Sequence, residues 1–453
     1  MKKRVSLIFL AIVVFMLCRC CFAPRYNAPL ESPVDFNVAD KAKQDPQTLM
    51  GACFSGGGSR AMAMGYYVCE AFRNVKYSDS TNLMDEIDLA SGVSGGSFVA
   101  AALPIYKNDW KEFEKLGVKC DIQGNVIKGI LKPWNWPYLA SPYYTRTNLA
   151  SEFYDTHIFK GHTFGTIPQH PKIYINATLL AQGIHFVYNE KYFKLINSDI
   201  SSYPIGYACA ASSAFPVGFA AMTLKNYPPE LPEDALMAKP EYRMAYLNQV
   251  SDINQYRFKQ MWDFLNNKEN AWIHNQDGGL AGNTGIKRFL DEFRTNGVIN
   301  KAINNSDMPM KRFIIVVIDA GTKKIDKSCR DQSPPLSMEV IMYTTTTAMD
   351  VLSGERLSEL KSKMDELWQN AQAAQSSLGF SMKSLSMLQK PYLIEINARN
   401  IFDEKLLAEF NDLPTSFHMK EKQLETIRKS VNYLLKSNKE YKRLLQDLGV
   451  SID

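Results

Sequence analysis

The 453-residue chain is 45% hydrophobic and 22% charged with no biased tract, which excludes disordered and collagen-like classes and leaves ample apolar material for a core. Four of its five net positive charges belong to Lys2, Lys3, Arg4 and Arg19, so no basic stripe remains to grip phosphates and no nucleic-acid partner is expected. The length fits one large α/β domain with insertions, or two domains.

Lys2-Lys3-Arg4 and the apolar run over residues 5–17 have the charged and hydrophobic regions of an export signal, shorter than the roughly 20 residues of a membrane span. Cys18, Cys20 and Cys21 follow, which resembles a bacterial lipoprotein signal, although Leu17 and Arg19 stand where a small residue belongs. Cleavage near Ala23 and an uncleaved anchor are the competing readings. Residues 1–21 are therefore read as a signal peptide or lipoprotein signal and 22–47, polar and proline-containing, as a tether. An exported protein held at a bacterial envelope is expected. Cys53, Cys69, Cys120, Cys209 and Cys329 are odd in number and lack C-x-x-C, and the six histidines form no H-E-x-x-H. No disulfide framework, metal or cofactor is expected.

The fold is read from residue 48 to residue 453. Leu49-Met50-Gly51-Ala52-Cys53-Phe54 reads as a buried strand that runs into Ser55-Gly56-Gly57-Gly58-Ser59-Arg60 and a helix over 61–72. Ile87-Asp88-Leu89-Ala90 is a second strand, turning through Ser91-Gly92-Val93-Ser94-Gly95-Gly96-Ser97 into a helix from Phe98. This βαβα opening predicts a mainly parallel sheet covered on both faces. Ser94 falls in the turn between Gly92 and Gly95, where a strand-to-helix elbow leaves no room for side chains beside the hydroxyl.

Residues 107–169 lose their periodicity and read as an insertion. Trp134, Trp136, Tyr138, Tyr143 and Tyr144 crowd there among prolines, either to pack a surface excursion or to dip into a lipid interface. Lys172 to Leu180 reads as a strand with a hairpin partner at His185-Phe186-Val187-Tyr188. The small residues Cys209 to Ala214 predict close packing, with no catalytic need for Ser212 or Ser213. Residues 226–272 read as a second, polar insertion, and Asp277 as part of a turn before Gly278 and Gly279. The apolar run Arg312 to Asp319 predicts a strand buried on both faces, and Tyr392 to Ile396 a late strand. Leu357, Leu360, Met364, Leu367 and Trp368 mark one amphipathic helix, and Leu424, Ile427, Val431, Leu434 and Leu435 another. Residues 376–390 read as a mobile lid.

Acyl transfer by a serine needs an exposed nucleophile, a base and donors for the oxyanion. Ser94 supplies the first, and Asp277, isolated beside two glycines, is the best base. Gly56, Gly57 and Gly58 at a helix start supply backbone donors, with Arg60 reinforcing that field or pairing with a carboxylate.

These residues carry a resemblance. Gly56-Gly57-Gly58-Ser59-Arg60 resembles the oxyanion loop of patatin-like phospholipases, and Gly92-Val93-Ser94-Gly95-Gly96 their nucleophile elbow. Ala211-Ser212-Ser213-Ala214-Phe215-Pro216 is similar to their small-residue block, Asp277-Gly278-Gly279 to their D-G-G motif, and Leu413-Pro414-Thr415-Ser416-Phe417 to the C-terminal part of bacterial members. The resemblance implies a three-layer α/β/α sandwich and a Ser94–Asp277 dyad. It also implies metal-free hydrolysis of lipid acyl esters of the phospholipase A or lysophospholipase type, with phospholipid or another lipid ester at a membrane surface as partner. Ser55 and Ala61 depart from the usual pattern. An ordinary aspartate, pKa about 3.9, is a poorer match to neutral pH than histidine, so Asp277 must be tuned by its surroundings or act with the proton moving in concert. Three rivals remain: an α/β-hydrolase-type Ser94-Asp277-His418 triad, a nucleotide-binding glycine loop, and a membrane-tethered non-enzymatic lipid-binding protein. His274, three residues before Asp277, reads as a surface or structural histidine.

Overall fold

The computed structural model describes residues 24, 26–31, 47–77, 81–216, 218–227, 260–261, 263–294, 297–322, 336–376 and 383–450. The leader, most of the tether and most of the 226–272 segment lie outside these residues. The apolar runs become strands in chain order. β1 (Thr48–Phe54) leads into α1 (Gly58–Asn74), and β2 (Ile87–Val93) into α2 (Gly95–Tyr106). After α3 (Ile122–Leu131) and α4 (Arg146–Phe153) come β3 (Lys172–Leu179), β4 (Ile184–Tyr188), α5 (Ile205–Ser212), β5 (Met222–Lys225) and β6 (Trp272–Asp277). The chain continues through α6 (Ile286–Arg294), β7 (Arg312–Asp319), α7 (Ser337–Ser376), β8 (Tyr392–Asn397) and α8 (Glu421–Ser437).

The eight strands form one sheet in the order β8-β7-β1-β2-β3-β6-β5, with β4 also on β3. From β8 to β3 all neighbours are parallel, while β4, β5 and β6 join antiparallel. The sheet feeds two cores because successive strand side chains point to opposite faces. Met50, Ala52, Phe54, Ile314, Val316 and Ile318 pack with α1, α2, α5 and α8. Leu49, Cys53, Phe313, Ile315 and Val317 pack on the other face with Ile286, Phe289, Leu360 and Met364 of α6 and α7. The mainly parallel sheet covered on both faces is the one expected from the βαβα opening, and the architecture is the three-layer α/β/α sandwich that the family resemblance implied.

One feature of the sheet places the site. β4 lies along one edge of β3, pairing from Ile175 to Leu179. Along the other edge β2 pairs up to Val93 opposite Asn176, and β6 takes over at the next residue with Asp277 opposite Ala177. β2 runs parallel to β3 and β6 antiparallel, so their C-terminal ends point at each other. The gap between them is one step of β3, about 3.3 Å.

Four local expectations change. Asp277 closes strand β6 and is not in a loose turn. Residues 107–169 are not a peripheral excursion, for Trp110, Phe113, Tyr154 and Phe159 join the main core. Residues 377–382 of the expected lid lie outside the described residues, while Ser384, Leu385 and Leu388 are buried, so that part is fixed by apolar packing. The helix marked by Leu357 to Trp368 is also far longer than its periodic stretch, since α7 has 40 residues. Cys53, Cys69, Cys120 and Cys209 are free thiols, and Cys329 lies outside the described residues. Among the described residues no helix is long and apolar enough to cross a membrane.

Candidate active site

Ser94 sits at the junction of β2 and α2 with φ 49° and ψ −123°, a backbone conformation that a non-glycine residue adopts only when its surroundings impose it. The surroundings are visible. The Ser94 N–H donates to Ser212 Oγ at 2.9 Å, Ser212 Oγ donates to the Asn176 carbonyl at 2.6 Å, and Ser97 Oγ donates to the Ser94 carbonyl at 2.5 Å. Asn176 in turn donates to the Gly92 carbonyl at 2.7 Å and to Ser91 Oγ at 3.0 Å. Its Oδ1 accepts from His185 Nε2 at 2.8 Å, an imidazole that burial keeps neutral by pulling its pKa down to about 3.

Gly95 is required by the fold. A Cβ there would lie 1.9 Å from the Gly58 carbonyl oxygen, because the starts of α1 and α2 touch at this point. Gly92, the next-to-last residue of β2, lies against the backbone of Gly96 and Ser97 for the same reason of close approach.

Asp277 is held as firmly as the elbow. Its N–H donates to the Ala214 carbonyl at 3.1 Å and its carbonyl accepts from Thr178 Oγ1 at 2.8 Å. Its carboxyl accepts the Gly279 N–H at 2.8 Å and has the Ser94 hydroxyl beside it. Burial pushes the carboxyl up to about 7, with those two donors opposing the rise. A shift in this direction is what a base at this position needs at neutral pH. Gly278 packs on the Asn176 carbonyl and Gly279 on Met349 of α7.

The glycine loop corrects one assignment. The Gly56 N–H, expected among the oxyanion donors, donates instead to the Asn283 carbonyl at 2.8 Å. Gly57 and Gly58 are left with N–H groups that meet no partner among the described residues. Both have positive φ, 139° and 62°, which only glycine adopts without strain and which turns these amides out at the start of α1. Arg60 is the clamp beneath them. Buried, with its pKa lowered to about 10 by desolvation, it donates from Nε to the Ala320 carbonyl and from Nη1 to the Leu413 carbonyl, each at 2.9 Å.

The two histidines considered earlier lie elsewhere. His418 is half-buried with Nδ1 3.7 Å from Asp121, and His274 meets Thr223 Oγ1 at 3.0 Å on the far side of β6. Ser94, Asp277, Gly57 and Gly58 open on a cavity of about 800 Å³. Its walls are largely apolar: Ile122, Val126, Ile127 and Ile130 of α3, the crossed rings of Phe219 and Phe417, and Met342 and Met349 of α7. Such a slot suits an acyl chain with its ester at the polar floor.

Asn176, Ser212 and Asn283 escaped the sequence reading. Asn176 had a signal, a polar residue within the apolar run Ile173-Tyr174-Ile175. The loss of the Ser212 hydroxyl leaves the Ser94 N–H unpartnered and buried, which costs about 1–3 kcal/mol. Ser212→Ala is therefore expected to lower kcat about tenfold with KM unchanged, measured by steady-state kinetics on a soluble ester.

Comparison with known proteins agrees with this geometry. The model of the patatin-like phospholipase family matches residues 52–290, more than half of the chain and the span that holds the elbow, the glycine loop and Asp277. No curated protein matches the chain significantly. The chain belongs to the patatin-like phospholipase family, whose members are in general lipid acyl hydrolases.

Proposed function

We propose that this protein hydrolyses carboxylic esters of lipids, as a phospholipase A or lysophospholipase, through a Ser94–Asp277 dyad and an acyl-enzyme. The observation that carries the reading is the placement of the Ser94 hydroxyl, on its constrained elbow, beside a buried carboxyl whose pKa stands at about 7. At neutral pH a substantial fraction of Asp277 is ionised, so it can take the Ser94 proton as Oγ adds to the ester carbonyl. The carbonyl oxygen becomes an oxyanion beside the Gly57 and Gly58 N–H groups and the positive ends of α1 and α2. Collapse breaks the C–O bond, and the proton on Asp277 passes to the departing alcohol. Water then repeats the sequence on the acyl-enzyme with Asp277 again the base, releasing the fatty acid and restoring Ser94.

The triad rival loses support because His418 contacts neither Ser94 nor Asp277. Residues 48–453 are proposed to act as one acyl-hydrolase unit. The leader read at residues 1–21 supports a location at the bacterial envelope, tethered to the membrane. A fluorophosphonate probe is expected to label the wild-type protein and not Ser94→Ala, and phospholipid vesicles to yield free fatty acid only with the wild type. Equal labelling of both proteins, or of neither, overturns the serine-hydrolase reading.

A further inference from the structure

The two rims of the cavity share a property that the chemistry at its floor does not use. From Ile122 to Ser151 the chain carries Lys128, Lys132 and Arg146 and not one carboxylate. Along this stretch Leu131, Trp134 and Trp136 are more than half exposed. They are also fixed in place. Trp136 Nε1 donates to the Ile130 carbonyl at 3.1 Å, and Lys132 Nζ lies 5.7 Å over the Trp134 ring.

The opposite rim is the start of α7. Its C-terminal half is anchored on the sheet by Leu360, Met364 and Leu367, whereas Leu336, Val340 and Ile341 are exposed. Two residues join these rims to the cavity. Ile127 and Met342 are each exposed to solvent and line the cavity wall, so apolar side chains lead from the cavity to the outside on both rims. A patch of this extent around a cavity mouth marks an interaction site.

We propose that the α3 rim, continuing through Trp136, and the first turns of α7 together form one docking face for an anionic lipid bilayer. The inference rests on the lipid-ester reading of the same site. Indole and phenol rings settle at the level of lipid headgroups, aliphatic side chains reach below them, and lysines beside them meet anionic phosphates. A bilayer seated on both rims presents its ester groups to the cavity mouth. A protein partner has less to recommend it, since Lys128, Lys132 and Arg146 on the α3 side outnumber Glu339, the one carboxylate in the first turns of α7, and the cavity between the rims takes a lipid.

The test uses the full chain carrying Ser94→Ala, so that binding is read without turnover, and vesicles of phosphatidylcholine and phosphatidylglycerol with brominated acyl chains. Tryptophan emission is expected to be quenched, and the quenching to fall sharply in Trp134→Phe with Trp136→Phe. Val340→Trp in that background is expected to restore it, which only entry of α7 into the bilayer explains. With Ser94 restored, Val340→Glu with Ile341→Glu is expected to slow vesicle hydrolysis about tenfold and to leave turnover of a soluble short-chain ester unchanged. Absence of quenching at Val340→Trp, or equal loss on both substrates, overturns the proposal. Equal quenching in vesicles without phosphatidylglycerol overturns its anionic part. Quenching needs no catalysis, so failure of the hydrolase reading and failure of the docking face give different results.

Discussion

Asp277→Asn is expected to produce a protein that is more stable than the wild type at pH 8 and nearly inactive. The side chain is buried, and its carboxyl stands at about 7 against an ordinary 3.8. Between those pH values the folded chain binds more protons at this position than the unfolded chain, so ionisation at Asp277 erodes stability as pH rises from about 4 to 7 and no further above that. An uncharged isostere escapes the penalty. The gain above pH 7 is on the order of 4 kcal/mol, and the difference between variant and wild type vanishes near pH 4. Thermal unfolding at both pH values measures it. Turnover of a soluble ester is expected to fall by about 10²–10⁴, because the amide cannot accept the Ser94 proton, while His418→Ala keeps full activity. In the wild type kcat/KM is expected to rise with pH to a plateau, with its midpoint near 7 and a tenfold fall per pH unit below it. An unchanged pH profile in Asp277→Asn would remove the residue from the role of base.

Gly95→Ala is expected to be nearly as damaging by a different route. The added methyl lies 1.9 Å from the Gly58 carbonyl oxygen and 2.7 Å from its carbon, so the starts of α1 and α2 must separate. That separation carries Ser94 away from the Gly57 and Gly58 N–H groups. A misplacement of about 1 Å between reacting groups costs about 10²-fold in rate, and overpacking costs about 1–3 kcal/mol in stability. Gly354→Ala is the control. It lies exposed within α7 with no atom within 4 Å of the new Cβ, and is expected to gain about 0.5–1 kcal/mol and to keep full activity. Circular dichroism melts with soluble-ester kinetics on both variants separate the two effects.

The parts of this molecule that were legible in sequence are those whose cause is local. The buried runs at β1 and β7, the elbow at Ser94 and the glycines before Arg60 declare themselves because apolar periodicity and backbone crowding act within a few residues. Asp277 was legible as a residue but not as the end of a strand, since β6 forms by pairing with segments about fifty and about a hundred positions earlier. The role given to Gly56 failed for the same kind of reason. Its N–H is claimed by Asn283, far along the chain, and nothing near Gly56 announces that partner. Ser212 looked like packing material because its hydroxyl matters only once the fold lays α5 beside the elbow. The first half of α7 was illegible as a cavity wall because its apolar residues face a mouth and not a core, and they leave no simple periodic stripe.

The meeting of β2 and β6 on one edge of β3 bears on how such a site can vary. Ser94 and Asp277 are separated by nearly two hundred residues of chain, yet their spacing is measured against a single rung between Asn176 and Ala177. The intervening segments can lengthen, shorten or change composition without touching the reacting atoms, provided that the register on β3 holds. A one-residue slip of β6, by contrast, would move Asp277 by about 3.3 Å and turn its carboxyl to the opposite face. Substrate range is thus free to drift in the excursions while the chemistry stays indexed to one strand, so this scaffold tolerates large insertions and resists small shifts.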